Sequence, residues 1–133
     1  MFVQDLIYQG QADKVAIDGE LKITYRDLQI SVEEYRNYLY SIGIRRGDNV
    51  GVLSKNSAYY IYAYMAIVSL GAVVVPINFQ LTAREIAYIV QDAEMKFFIS
   101  DVEVEIKEEL EFYQYKFPVK KMLLTDIEVK AKI

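Results

Sequence analysis

The stretch from Asp48 to Phe79 reads DNVGVLSKNSAYYIYAYMAIVSLGAVVVPINF, and its composition changes twice along its length. Asn49 to Leu53 is short, apolar and contains two valines, after which Ser54, Lys55, Asn56 and Ser57 supply turn-forming and helix-capping residues. From Ala58 to Leu70 the residues are apolar or tyrosine on nearly every face, which predicts a helix covered on most sides. Gly71 ends that helix, because glycine takes the left-handed conformation that a helix C-terminus often needs. Val73, Val74 and Val75 follow as a β-branched run closed by Pro76, the composition of a central parallel strand. Strand, helix and strand in this order make a βαβ unit.

A membrane span is the rival reading, since no charged residue stands between Lys55 and Arg84 and the run is about as long as a bilayer is thick. Gly71, the switch to a β-branched composition, and the hydroxyls of Tyr59, Tyr60, Tyr62 and Tyr64, which need partners in lipid, argue against it.

At 133 residues and 53% hydrophobic content the chain is one domain or a piece of one, with ample material for a core. A net charge of -4 supplies no basic field, so nucleic acid is not an expected partner. Zero cysteines exclude a disulfide framework and a thiol nucleophile, and zero histidines exclude Ser-His-Asp catalysis and most zinc sites. No basic segment and apolar segment follow Met1 in the manner of a secretory signal, so the cytoplasm is the expected compartment.

Outward from the central unit, Met1 to Gly10 is a short amphipathic lead. Residues 14–18 and 21–23 alternate around Asp18-Gly19-Glu20, which predicts a small β-hairpin. Thr24-Tyr25-Arg26-Asp27 is a capping pattern, and a helix begins at Tyr25 with Leu28, Val32, Tyr35, Leu39 and Ile42 on one stripe before Gly43. Arg45 and Arg46 are candidates to grip a phosphate, but without a Gly-rich loop beside them a solvated turn is the better reading.

Beyond the centre, Thr82-Ala83-Arg84-Glu85 is a second capping box, opening a helix with Ile86, Ile89 and Val90 that ends at Asp92-Ala93. Phe97 to Ile99 is the next strand, and Val102 to Tyr115 reads as an acidic helix. Its carboxylates, Glu103, Glu105, Glu108, Glu109 and Glu111, are candidates for acid-base or metal chemistry, yet their spacing implies no pocket or partner base, and a solvated face explains them. Pro118 interrupts, Met122 to Leu124 is a strand, and Ile127, Val129, Ala131 and Ile133 alternate to the end. The expected fold class is therefore α/β, a layered sandwich with a mainly parallel sheet plus a small N-terminal β-hairpin. No catalytic, cofactor-binding or metal-binding residue emerges from the pattern.

ITYRDL, from Ile23 to Leu28, resembles the (L/I)(T/S)YxEL motif near the start of AMP-forming adenylating enzymes, the group of acyl-CoA synthetases, luciferases and peptide-synthetase adenylation domains, with Asp27 in place of the usual Glu. The resemblance runs from Lys14 to about Ser100 and includes Gly47-Asp48, the Asn56-Ser57 helix start, Gly71-Ala72 and Pro76-Ile77-Asn78. Asn78, Leu81 and Glu85 are more similar to acyl-CoA ligases, fatty-acyl-CoA ligases in particular, than to peptide-synthetase domains.

Membership in that family implies two steps: a carboxylate attacks the α-phosphate of Mg-ATP to give an acyl-adenylate and pyrophosphate, and the thiol of CoA then displaces AMP. ATP, Mg2+ and CoA are the implied cofactors, and a long-chain fatty acid is the expected substrate. The family's phosphate loop ending in PKG, its YGxTE segment, its ribose-binding aspartate and its C-terminal-domain lysine have no counterparts here. Residues 1–133 are accordingly expected to be the N-terminal part of the large adenylating domain, inactive alone and acting as scaffold. A non-catalytic α/β interaction module and an adenylation domain of a peptide synthetase are the alternatives. With roughly four helices against about five to seven strands, the uncovered sheet predicts a homo-oligomer.

Overall fold

The computed structural model describes residues 15–17 and 23–133; the expected N-terminal lead and the Asp18-Gly19-Glu20 turn lie outside the described residues. β1 (Val15–Ile17) and β2 (Ile23–Thr24) pair antiparallel as the expected small two-stranded sheet. The Thr24 hydroxyl then accepts from the N–H of Asp27 and starts α1 (Tyr25–Ser41), whose stripe Leu28, Val32, Tyr35 and Leu39 is buried.

The central unit has the expected order of strand, helix and strand, but its helix buries one face, Tyr62, Ala63, Ala66 and Ile67, and leaves Tyr59 and Tyr64 exposed instead of being covered on most sides. β3 (Asn49–Leu53) is followed by α2 (Ala58–Ser69), capped by the Ser57 hydroxyl on the N–H of Tyr60, and by β4 (Val73–Pro76). Gly71 has φ +78°, the left-handed value its position at the helix end requires. α2 is only 12 residues long, and among the described residues no helix is long and apolar enough to cross a membrane.

Next comes α3 (Ala83–Asp92), closed at its start by the full capping box: Glu85 N–H donates to the Thr82 hydroxyl and Thr82 N–H to the Glu85 carboxylate. β5 (Phe97–Ser100), α4 (Lys107–Phe112), β6 (Lys120–Leu123) and α5 (Leu124–Ala131) complete the chain.

β3, β4, β5 and β6 form one all-parallel sheet in the order β4-β3-β5-β6. Crossovers between parallel strands are right-handed. The chain steps one way from β3 to β4 and the opposite way from β4 to β5 and on to β6, so α2 falls on one face and α3 and α4 on the other. Val50, Val52, Phe97 and Ile99 point to the first face, where α1, α2 and α5 contribute Leu39, Ile67 and Ile127. Leu53 and Phe98 point to the second, against Val90, Met95 and Ile106.

Three further expectations are corrected. The Val73–Val75 run is an edge strand rather than a central one: Val73 is 47% exposed, whereas all four residues of β5 are buried. A β-branched run specifies strand; centrality depends on which neighbours arrive later in the chain. The acidic helix is confined to Lys107–Phe112. Residues 101–102 form a bend and 103–106 no regular element, Glu105 accepts from Lys107 N–H, and Gln114, at φ +58°, ends the helical turn before Pro118 is reached. Finally, the alternating tail is the helix α5: Leu124, Ile127 and Ala131 recur at three and four residues and pack on the first face, leaving Val129 65% exposed. Five helices, not four, therefore serve the described sheets, and the tail covers the sheet instead of adding to its open surface.

Candidate functional site at the carboxyl ends of the strands

Ligands of open parallel sheets bind outside the carboxyl ends of the strands, where neighbouring strands send their connections in opposite directions. Here that point lies between β3, which leads through α2 to β4, and β5, which leads through α4 to β6. Three loops meet at this rim, after β3 (residues 54–57), after β4 (77–82) and after β5 (101–106).

Asp101 ties two of them together. Its N–H donates to the Leu53 carbonyl at 3.1 Å and its carboxylate accepts from the Lys55 N–H at 3.0 Å, so the exit of β5 fixes the path of the chain leaving β3. Lys55 turns its ammonium toward Phe79, 6.0 Å from the ring centroid, and Phe79 is 60% exposed. In the β4 loop, Ile77 N–H donates to the Val52 carbonyl and the Asn78 side chain accepts from Gln80 N–H at 2.9 Å, a local turn that presents Phe79. The rim loops thus carry one cation, Lys55, three carboxylates, Asp101 and Glu105 engaged with backbone N–H groups and Glu103 exposed, and one exposed aromatic ring, Phe79.

The residues singled out from sequence fall elsewhere or do other work. Arg45 is held in the turn before β3: its guanidinium donates to the carbonyls of Tyr40 (2.6 Å) and Ile44 (3.0 Å) and stacks 3.6 Å over the Tyr40 ring, while its N–H meets the Asp48 carboxylate. Arg46 lays its stem against Gly71. Both are at the amino ends of the strands, opposite the rim, and neither lines the cavity of about 350 Å³ formed there by Asp48, Asn49, Asp92, Glu94 and Lys96 with Gly47 and Ala93. Glu103, Glu105, Glu108 and Glu111 are exposed and Glu109 half-buried; Glu105 pairs with Lys121 at 3.6 Å, as a solvated face does. Among the described residues no three His, Cys, Asp or Glu side chains are grouped as a metal site. Asn78 and Glu85 serve as turn and cap. Asp101 was not singled out, although a carboxylate directly after the apolar strand FFIS marks a strand's carboxyl end.

A sequence model described as AMP-binding enzyme matches residues 6–132. The chain belongs to this AMP-binding enzyme family.

Two curated relatives show its range. The 3-hydroxybenzoate–CoA/4-hydroxybenzoate–CoA ligase of Thauera aromatica is 32% identical over 96 residues, 71% of this chain and 18% of that protein. The crotonobetaine/carnitine–CoA ligase of Salmonella arizonae is 37% identical over 76 residues, 56% of this chain and 15% of that protein. The chain thus spans less than a fifth of either relative. Among solved structures, the N-terminal subdomain of Klebsiella oxytoca NpsA, in complex with 3-hydroxybenzoyl-AMSN, superposes with a TM-score of 0.80 at 25% identity, covering 98% of this chain and 32% of that one. The o-succinylbenzoate CoA synthetase MenE of Bacillus subtilis, in complex with the acyl-adenylate intermediate OSB-AMP, superposes at 0.77 with 23% identity, covering 95% and 32%. The α/β architecture is that of adenylate-forming enzymes.

Membership in the AMP-binding enzyme family implies ATP and Mg2+, and the residues described here do not by themselves fit either. The three rim loops contain no glycine, whereas cradling a triphosphate takes successive backbone N–H groups at close approach. The glycines at positive φ, Gly43, Gly47 and Gly71, serve the turns between helices and strands at the opposite end.

Proposed function

We propose that this chain is the N-terminal part of the large domain of an AMP-forming carboxylate–CoA ligase, and that its contribution is the rim: a sheet edge that holds the loops after β3, β4 and β5 in fixed relation beneath the substrates. The family match over residues 6–132 carries this reading, and the Asp101 link between two rim loops supports it. The reaction is the two-step activation of a carboxylic acid through an acyl-adenylate, with CoA as acceptor. ATP, Mg2+ and CoA are bound by residues beyond those described, and the chain of 133 residues by itself carries no catalytic group for the transfer.

The relatives' names speak for aryl and small acids and give no support to a long-chain fatty acid, so the substrate class proposed is the broader one of carboxylic acids. A second reading has a specific observation behind it: one solved NpsA structure is an adenylation domain artificially fused to a carrier-protein domain, so a carrier thiol is the alternative acceptor. The proposal further includes the cytoplasm as compartment and self-association through the β4 edge, where the exposed Val73, the half-buried Val74 and Val75 and the absence of charge from Asn56 to Ala83 favour contact.

Carboxylate-dependent exchange of pyrophosphate into ATP, measured on the gene product isolated from its source with hydroxybenzoates, a short-chain acid and a long-chain fatty acid, tests the reading. Exchange followed by CoA-dependent release of AMP is expected. Exchange without discharge by CoA favours the carrier-protein reading, and no exchange with any carboxylate overturns both.

A further inference from the structure

Between α1 and α5 polar pairs stand beside apolar packing. Among the described residues the buried polar side chains are Ser31 and Ser100, and Ser31, on α1, accepts from the Lys132 ammonium at 2.8 Å just past the end of α5. Lys132 also reaches Glu34 at 3.2 Å and stands 5.9 Å from the ring centroid of Tyr62. One turn further along α1, the hydroxyl of the fully buried Tyr35 donates to the carboxylate of Glu128 on α5. Tyr35 and Tyr62 meet edge to face at 5.5 Å, which closes the arrangement from the side of α2.

Apolar seating is correspondingly thin. α5 has eight residues and buries two side chains, Leu124 and Ile127. On the opposite face α3 buries Ile86, Ala87 and Val90, while α4 buries no side chain and packs Leu110 half-buried.

We propose that α5 is a strap: a helix seated on α1 and α2 by the Tyr35–Glu128 and Ser31–Lys132 clasp, which opens as a unit while the parallel sheet stays closed and uncovers a hydroxyl-lined groove. Two physical reasons support separate opening. Elements with few buried apolar contacts open at lower free energy than the strands beneath them. A groove floored by the hydroxyls of Ser31, Tyr35 and Tyr62 accepts water when the strap leaves, so the open state strands no buried donor or acceptor. The clasp therefore fixes where α5 sits while leaving the sheet independent of it.

Amide hydrogen exchange read by mass spectrometry on the 133-residue chain tests the strap. Amides of residues 124–131 are expected to exchange at least tenfold faster than those of β3 and β5. Tyr35→Phe, which removes one hydrogen bond to a charged partner and keeps the ring, is expected to accelerate the strap by about a further tenfold while leaving β3 and β5 unchanged. Lys132→Met gives the same pattern from the other end of the clasp and serves if Tyr35→Phe fails to fold. Strap amides that exchange at the rate of the sheet, or a variant that accelerates strap and sheet alike, overturn the proposal, because α5 then opens only when the whole chain unfolds.

Discussion

The aliphatic stem of Arg46 lies against the backbone of Gly71, so that a Cβ added at Gly71 stands 3.0 Å from the Arg46 Cγ. The same pair of turns is joined by the N–H of Gly47 donating to the Gly71 carbonyl at 3.0 Å. Two costs meet at Gly71: φ is +78°, and the added atom needs space the arginine stem occupies. Gly71→Val is expected to destabilise the chain by about 1–3 kcal/mol, read as a lower urea midpoint. Gly47, at φ +88° with nothing within 4 Å, isolates the conformational cost alone. Gly47→Ala should therefore be the milder change, and Arg46→Ala should recover part of the Gly71 loss. A Gly71→Val midpoint equal to that of the parent chain contradicts this account.

At Gly51 the cost is one of volume. The residue sits in mid-β3 on the face of Met95 and Phe98, both fully buried, and an added Cβ would stand 2.8 Å from the Met95 Sδ and 3.0 Å from the Phe98 ring. Overpacking of this kind costs about 1–3 kcal/mol. Gly51→Ala should lower the thermal midpoint, and the pair Gly51→Ala with Met95→Ala should lose less than the sum of the single changes. Strict additivity sinks this reading.

Asp101→Ala removes the acceptor that holds Lys55 N–H and should loosen the loop after β3 at a cost of about 1 kcal/mol. The Lys55 amide should exchange faster, while the amides of α1 keep their rates. An unchanged Lys55 amide means that the loop is held by other contacts.

High pH should unfold the chain through its tyrosines. Burial, with the Glu128 hydrogen bond next, holds the Tyr35 hydroxyl far above the ordinary tyrosine range, and burial also raises Tyr62 and Tyr115. A folded pKa raised above the unfolded one favours the protonated, folded form. This stability is complete below the ordinary tyrosine pKa of about 10 and is lost as pH rises beyond it toward the folded value, at up to about 1.4 kcal/mol per pH unit per group. Denaturation midpoints should fall steeply above that pH, and Tyr35→Phe should flatten the slope. An identical slope in the variant rules Tyr35 out as the titrating group.

Local signals carried most of the fold. Thr24, Ser57 and Thr82 cap the helices they were expected to cap, and Gly43 and Gly71 end helices at positive φ. The motif ITYRDL is legible for the same reason: Ile23 and Leu28 are buried and Thr24 is a cap, so the residues that mark the family also build α1. What stayed hidden depends on distant partners. Nothing near Val73 announces that β5 will pair with β3 on the far side and leave β4 at the edge. The tail was misread because its apolar residues satisfy a period of two as well as the helical spacing of Leu124, Ile127 and Ala131, and only the groove on α1 and α2 selects the helix. At the rim, Asp101 was visible as a charge after an apolar strand, but its partner lies 46 positions earlier.

The strand order has a consequence for how the chain is born. β3 is paired on both sides, yet its two neighbours end at Pro76 and Ser100, so a growing polypeptide completes one side well before the other exists. Between those moments Asn49 to Leu53 presents an open apolar edge beneath the ribosome, and pairing across such sequence distance is slow. Until Phe97 to Ser100 emerges and pairs there, that side of β3 is an unsatisfied strand edge.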